Sequence, residues 1–324
     1  MTTLFLATTG GHLTQLAGLA ARIPPDGDEL WVTHANEQST SMLAGREVHY
    51  VPYIGVRDVP GVLASVPRAA ALLHRRGITR AVSTGSGIAL GYLPYLATRG
   101  VACHYIESAA RVGGPSLTGR LLERAPRVRT YTQYRHWADR HWHYGGNGFD
   151  AYEPAPAVRT TGDRIRVVVT VGTAVEFPFR RLLVRLAGLL APGGDLEQAT
   201  GLPVEVLWQT GGTPVGDLPL TPTPFLPAAE LGAALAACDI VVGHAGTGSA
   251  LAGLAAGRVA VVAARSREFG EAGDDHQVQL ARELADRGLA VHRDAGTITA
   301  DDLIDSRGRA ARRLPDVPAF DLRT

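Results

Sequence analysis

Two histidines in this chain stand beside glycine turns, in the setting an acid–base or anion-binding group needs. His12 follows Gly10 and Gly11 in "TTGGHLTQLAGLAAR", and His244 opens "HAGTGSALAGLAAG". In both places an apolar run ends, a glycine turn follows, and a small-residue helical pattern begins. N–H groups at such a helix start face outward, and the helix dipole there favours negative charge. The same dipole disfavours an imidazolium, so His12 reads either as a neutral base or as a turn histidine capping its loop.

Further turns of this kind recur. "VTVGTAVEFPF" places Gly172 and Thr173 after an apolar run, and "WQTGGT" places Gln209, Thr210, Gly211 and Gly212 after another. A third run leads into His244, Ala245, Gly246, Thr247, Gly248 and Ser249. Converging N–H and hydroxyl groups are what the oxygens of a diphosphate require. The small residues that follow also let a helix pack close to a sheet. In the first half, "STGSGIALGYLPY" supplies Gly85, Ser86 and Gly87. Glu107 ends the run "CHYIE" near Arg111, as ion-paired structure or as a general base.

Asp275, His276 and Gln277 precede an amphipathic helical stretch. Asp274 or Asp275 caps that helix, or the triplet reaches sugar hydroxyls. His136, His141 and His143 have no nearby cysteine or regular ligand pair, so no metal is expected. A dinucleotide fingerprint is missing: G-x-G-x-x-G is absent after the first run, and Thr33 and His34 stand where a ribose-binding acid belongs. Seven arginines between 111 and 140 meet two acids, Glu123 and Asp139. They form a solvated face or a patch for an anionic acceptor or lipid headgroups.

The elements that must position these residues alternate along the chain. Strand-like runs at Leu4–Thr8, Leu30–Thr33, Val48–Tyr53, Arg80–Ser83, Ala102–Ile106 and Val128–Thr132 are separated by helical patterns such as "VLASVPRAAALLHRRG". After a Gly-, Pro- and Thr-rich stretch the rhythm restarts. It predicts an α/β fold of two Rossmann-like, doubly wound domains facing a cleft, with sites at the strand carboxyl ends. The expected division is 1–150, a linker at 151–163, a second domain at 164–305, and a tail at 306–324 with a last helix.

A length of 324 residues agrees with two domains, and 45% hydrophobic with 19% charged residues excludes a disordered chain. A net charge of +1 gives no global field for nucleic acid. The start lacks a signal-peptide pattern, and no apolar stretch reaches the roughly 18 residues of a membrane span. A soluble, cytoplasmic protein is expected, with peripheral contact at the inner membrane face left open. Cys103 and Cys238 read as two separate buried thiols.

The second half, from "VTVGT" through "GHAGTGSALAGLAAGRVAVVAAR" to "DDHQVQLARELADRG", resembles the nucleotide-sugar-binding half of GT-B glycosyltransferases related to MurG. It looks closest to the catalytic subunit of the transferase that adds the second N-acetylglucosamine to dolichol-linked sugar. The first half, with "TTGGHLTQL", "STGSGIAL" and "YIESAARVGGPSLTGRLL", is similar to that enzyme's partner subunit and to PssD-type proteins, so the chain resembles a PssD/PssE-type fusion. The resemblance implies an inverting, metal-independent transferase with no cofactor beyond its UDP-sugar, of the UDP-GlcNAc or UDP-glucose type. His12 or Glu107 would be the base. Gly172, Thr173, Gln209–Gly211, Phe225, Leu226, His244–Ser249 and Asp275–Gln277 would hold the donor. Gly10, Gly11, Gly85, Ser86, Gly87 and Arg111 would face a lipid-linked or small-molecule acceptor. The chain departs from the pattern at Gly253, where MurG-type enzymes carry a glutamate towards the ribose, and it lacks the partner subunit's membrane anchor. A non-hydrolysing NDP-sugar epimerase and a non-catalytic sugar-nucleotide-binding subunit are the alternatives.

Overall fold

The computed structural model describes residues 1–324 except 25, 56, 158–161, 173–176 and 324. The chain divides into two compact units, Met1–Asp150 with Val317–Thr324, and Ala151–Asp316.

The first unit runs β1 (Thr2–Ala7), α1 (Gly11–Ala20), β2 (Asp28–Thr33), α2 (Glu37–Met42), β3 (Val48–Tyr50), α3 (Val59–Arg75), β4 (Ile78–Gly85), α4 (Gly87–Thr98), β5 (Ala102–Ile106), α5 (Leu117–Leu122), β6 (Val128–Thr132) and β7 (Trp142–Tyr144). All seven strands are parallel, in the order β3-β2-β1-β4-β5-β6-β7. Leu4 and Leu6 of β1 pack into one core cluster with Tyr92 and Leu96. Phe5 and Ala7 pack into another with Leu13, Leu16 and Trp31. A sheet covered on both faces explains why its strands read as continuous apolar runs rather than as alternation.

The second unit runs β8 (Tyr152–Pro156), β9 (Ile165–Thr170), α6 (Arg180–Leu189), α7 (Asp195–Thr200), β10 (Val204–Gln209), β11 (Pro222–Thr223), α8 (Ala228–Ala237), β12 (Ile240–His244), α9 (Thr247–Ala255), β13 (Ala260–Ala263), α10 (His276–Asp286), β14 (Ala290–Arg293), α11 (Ala300–Arg307) and β15 (Arg309–Arg313). Its parallel sheet has the order β11-β10-β9-β12-β13-β14. In each unit the direction of winding reverses beside the first strand of the sheet, between β1 and β4 and between β9 and β12. This is the switch point of a doubly wound fold, where the strand ends leave a crevice for ligand. Both units are thus the Rossmann-like α/β type expected.

Three segments differ from the reading of the sequence. "HWADRHWHY" contains β7, whose Trp142 is buried in the first core. The stretch 151–163, expected as linker, contains β8, paired antiparallel with β15 from the expected tail. Pro154 and Pro156 lack N–H groups, which a two-stranded ribbon tolerates because β8 has a neighbour on one side only. After Asp316 the chain returns to the first unit. Phe320 is fully buried, with its ring centroid 6.0 Å from that of Tyr131. Its N–H donates to the Arg22 carbonyl at 2.8 Å, and Arg22 Nε donates to the Pro318 carbonyl at 2.9 Å. A Cβ on Gly145 would lie 2.6 Å from the Phe320 ring, so the glycine makes room for it.

Both cysteines are free and buried, which pushes the Cys103 thiol up to about 12 and Cys238 to about 11. Among the described residues no helix is long and apolar enough to cross a membrane.

Candidate functional site

In the second unit β10, β9 and β12 are neighbours, and each ends in one of the turns singled out above. Gly172 follows β9 with φ +76°, a left-handed conformation that favours glycine. Thr173 lies outside the described residues. His244 ends β12, and its ring fills space left by two glycines. A Cβ on Gly172 would lie 2.7 Å from the ring Cε1, and a Cβ on Gly246 would collide with Nε2. Burial, with the charge of Arg265 second, pushes His244 down to about 3, so it is neutral near pH 7. Ser249 Oγ lies 3.3 Å from its Nδ1.

The turn after β12 offers fewer N–H groups than its glycines suggest. The Ala245 N–H donates to the Ala263 carbonyl, and the Gly246 N–H to that of His244, both at 2.8 Å. The groups left at the start of α9 are those of Thr247, Gly248 and Ser249, which have no intrahelical acceptor. Gly246→Ala is expected to destabilise the protein by about 1–3 kcal/mol, since the His244 ring must move. Gly253→Ala in the same helix meets nothing nearer than the Arg258 carbonyl at 3.8 Å and is expected to be neutral or stabilising by up to about 1 kcal/mol. Paired denaturant melts measure both; a harmless Gly246→Ala would contradict the packing described.

At the end of β10, Gln209 is buried and its Oε1 accepts from Thr170 Oγ1 at 3.0 Å. The Thr210 N–H donates to the Thr223 carbonyl at 3.1 Å, and Gly211 follows with φ +56°. Gln209 therefore fastens β9 to β10 and frames the turn. Phe225 and Leu226 lie half-buried between β11 and α8. At the start of α10, His276 pairs with Asp274, and the Asp275 side chain makes no cap bond. Gln277 is buried, its Oε1 accepting the Arg265 N–H at 3.0 Å, so that oxygen is taken up within the protein. Arg265, which the sequence reading passed over, is a buried charge just beyond β13. A lone arginine ending "VAVVAAR" was its only signal.

In the first unit the turns after β1 and β4 lie side by side at the switch point. The Thr8 N–H donates to the Gly85 carbonyl at 2.8 Å, and the Ser86 N–H to Thr8 Oγ1 at 3.1 Å. The Gly10 N–H, expected to face a ligand, donates instead to Gln38 Oε1 at 2.5 Å, and Thr9 Oγ1 lies 2.7 Å from His34 Nε2. Gly11 is exposed. Gly87 begins α4 where a Cβ would lie 2.8 Å from Ile54. The half-buried His12 ring rests against Gly85, with Nδ1 2.6 Å from the Thr84 carbonyl. A carbonyl only accepts, so Nδ1 carries a proton, and in the neutral form of the ring the lone pair is then on Nε2.

Glu107 is 1% exposed. Its Oε1 accepts from the Tyr105 hydroxyl at 3.1 Å and the Ser108 N–H at 3.0 Å, and its Oε2 from the Ser116 N–H and hydroxyl, both at 2.8 Å. The carboxylate ties the loop from 108 to 116 to β5. Arg111 lies in that loop, its N–H donating to the Ser108 carbonyl at 2.8 Å. Buried Gln15 and Gln133, also unforeseen, brace the same loop. Gln15 Oε1 accepts from the Ala109 N–H at 2.9 Å, and Gln133 Nε2 donates to the Glu107 carbonyl at 2.8 Å.

Among the described residues no group of three or more His, Cys, Asp or Glu could hold a metal. His136 is held 2.7 Å from the Val112 carbonyl, and His143 packs on the Tyr131 ring. Asp26 and Asp28, the D-x-D of the chain, precede and begin β2, at the amino end of the sheet.

No protein-family model matches the chain, and no curated protein matches it in sequence. Solved structures do. MurG from Acinetobacter baumannii is 18% identical, with 94% of this chain and 89% of that one covered and a TM-score of 0.57. The glycosyltransferase SnogD from Streptomyces nogalater is 17% identical over 95% and 92%, with a TM-score of 0.58. The spinosyn rhamnosyltransferase SpnG, complexed with thymidine diphosphate, is 16% identical over 94% and 90%, with a TM-score of 0.55. At these identities the likeness is one of fold, and it covers both units.

Proposed function

We propose that this chain is an inverting, metal-independent glycosyltransferase, binding a UDP-sugar in its second unit and an acceptor hydroxyl in its first. The observation that carries the reading is the set of three turns ending the neighbouring strands β10, β9 and β12, in a fold shared with the thymidine diphosphate complex of SpnG. The N–H groups opening α9 face the oxygens of the diphosphate. Gln209–Gly211, Phe225, Leu226, Gly172 and Gln277 surround the rest of the donor.

In the first unit His12 Nε2 accepts the proton of the acceptor hydroxyl as its oxygen attacks the anomeric carbon. The bond from that carbon to the diphosphate breaks, and the departing charge is met by fixed dipoles. Glu107 is a positioning residue, holding the loop that carries Arg111 towards a lipid-linked or soluble acceptor. Gly253 leaves the ribose without the glutamate of the MurG-type pattern, so sugars carried on deoxyribonucleotides belong in the donor set.

The test is a thermal-shift and product screen with UDP-GlcNAc, UDP-glucose and dTDP-glucose, alone and with acceptor pools. A bound donor at a hundred times its Kd stabilises the protein by about 2.7 kcal/mol. Nucleoside diphosphate release only with acceptor is the expected result. An altered sugar on donor alone would instead identify an epimerase, and no shift with any nucleotide would refute donor binding.

A further inference from the structure

Arg265 is 4% exposed. Its Nη2 donates to the Val171 carbonyl at 2.6 Å, at the end of β9, while its own backbone stands beyond β13. Because β12 lies between those two strands, the side chain crosses the carboxyl end of β12, where His244 stands. The guanidinium also packs over the Phe179 ring, 5.4 Å from its centroid.

Among the described residues this cation forms no ion pair, and its buried Nε has no hydrogen-bond acceptor. Glu271 acts on it electrostatically but spends both oxygens on Arg181, at 3.1 and 3.2 Å. Burial lowers the guanidinium to about 10, so it stays charged near pH 7. An unpaired buried charge carries a desolvation penalty of several kcal/mol, which an anion at the same strand ends would offset. The Thr247–Ser249 N–H groups open towards the same place, and the arginine fork matches phosphate oxygens.

We propose that Arg265 binds the diphosphate of the nucleotide ligand, supplying the fixed positive charge at the switch point of the second unit. The inference rests on the donor reading above. A purely structural arginine would hold the Val171 carbonyl and leave phosphate affinity untouched.

The experiment is calorimetric titration of the full chain, wild type, Arg265→Lys and Arg265→Met, with inorganic pyrophosphate, UDP, dTDP and uridine. Pyrophosphate affinity is expected to fall about tenfold or more in Arg265→Met, less in Arg265→Lys, with uridine affinity unchanged. Equal pyrophosphate affinity in a folded Arg265→Met protein overturns the proposal, as does a wild type that binds no pyrophosphate. Pyrophosphate binding lost with Arg265, with UDP and dTDP no tighter than pyrophosphate, supports Arg265 and overturns the donor reading. If neither variant folds, the Nε–H resonance of Arg265 in nitrogen-labelled wild type decides. It moves on adding pyrophosphate if the contact exists and stays if it does not.

Discussion

His12→Ala is expected to lower kcat by about 10²–10⁴-fold while leaving nucleoside diphosphate affinity unchanged, the range lost with a general base. Donor contacts are assigned to the second unit and His12 belongs to the first, so binding and chemistry separate in this variant. The imidazole is oriented by the Thr84 carbonyl on Nδ1, which fixes the tautomer that leaves Nε2 as acceptor. Removing the ring forfeits the hydrogen bond to the Thr84 carbonyl, about 1 kcal/mol, and the fold should survive that loss. Single-turnover rates with saturating donor measure the effect. A kcat within tenfold of wild type would remove His12 from the mechanism.

Glu107 is expected to behave in the opposite way. Glu107→Ala strands four donors, one buried and three half-buried, and should cost about 3 kcal/mol, a fall in melting temperature of roughly 6–12 °C. Glu107→Gln keeps the shape but turns an amide N–H₂ towards one pair of donors, so an intermediate loss is expected. Calorimetry of the three proteins alongside kcat and KM decides the role. Were Glu107 the base, Glu107→Gln would lose turnover by orders of magnitude, far more than its folded fraction accounts for. Loss of stability with turnover reduced in proportion to the folded fraction identifies the carboxylate as a brace for the loop carrying Arg111.

The turns were legible because each marks a local event, the end of an apolar run at residues that allow left-handed backbone or close approach. Which of their atoms remain available was not. Gly10 looked open until Gln38, 28 residues on, took its N–H. Ala245 looked like part of a cradle until the neighbouring strand accepted its N–H. Gln15, Gln133 and Arg265 carry no periodic signal: a buried polar side chain has a role only through partners distant in the chain. The β8–β15 ribbon escaped notice for the same reason, since its two strands are far apart in sequence and one is interrupted by proline.

By itself the sequence determined the two doubly wound units, because continuous apolar strands, helical spacing and glycine turns are properties of neighbouring residues. It also narrowed the candidate base to His12 and Glu107. Only the tertiary structure separated the surroundings of those two, setting the Glu107 carboxyl among four donors and the His12 Nδ1 against the Thr84 carbonyl. It alone carried Arg265 across the end of β12. A carboxylate's work depends on which donors surround it, and a cation's on which charges do not. Both are set by packing between segments that the sequence keeps apart.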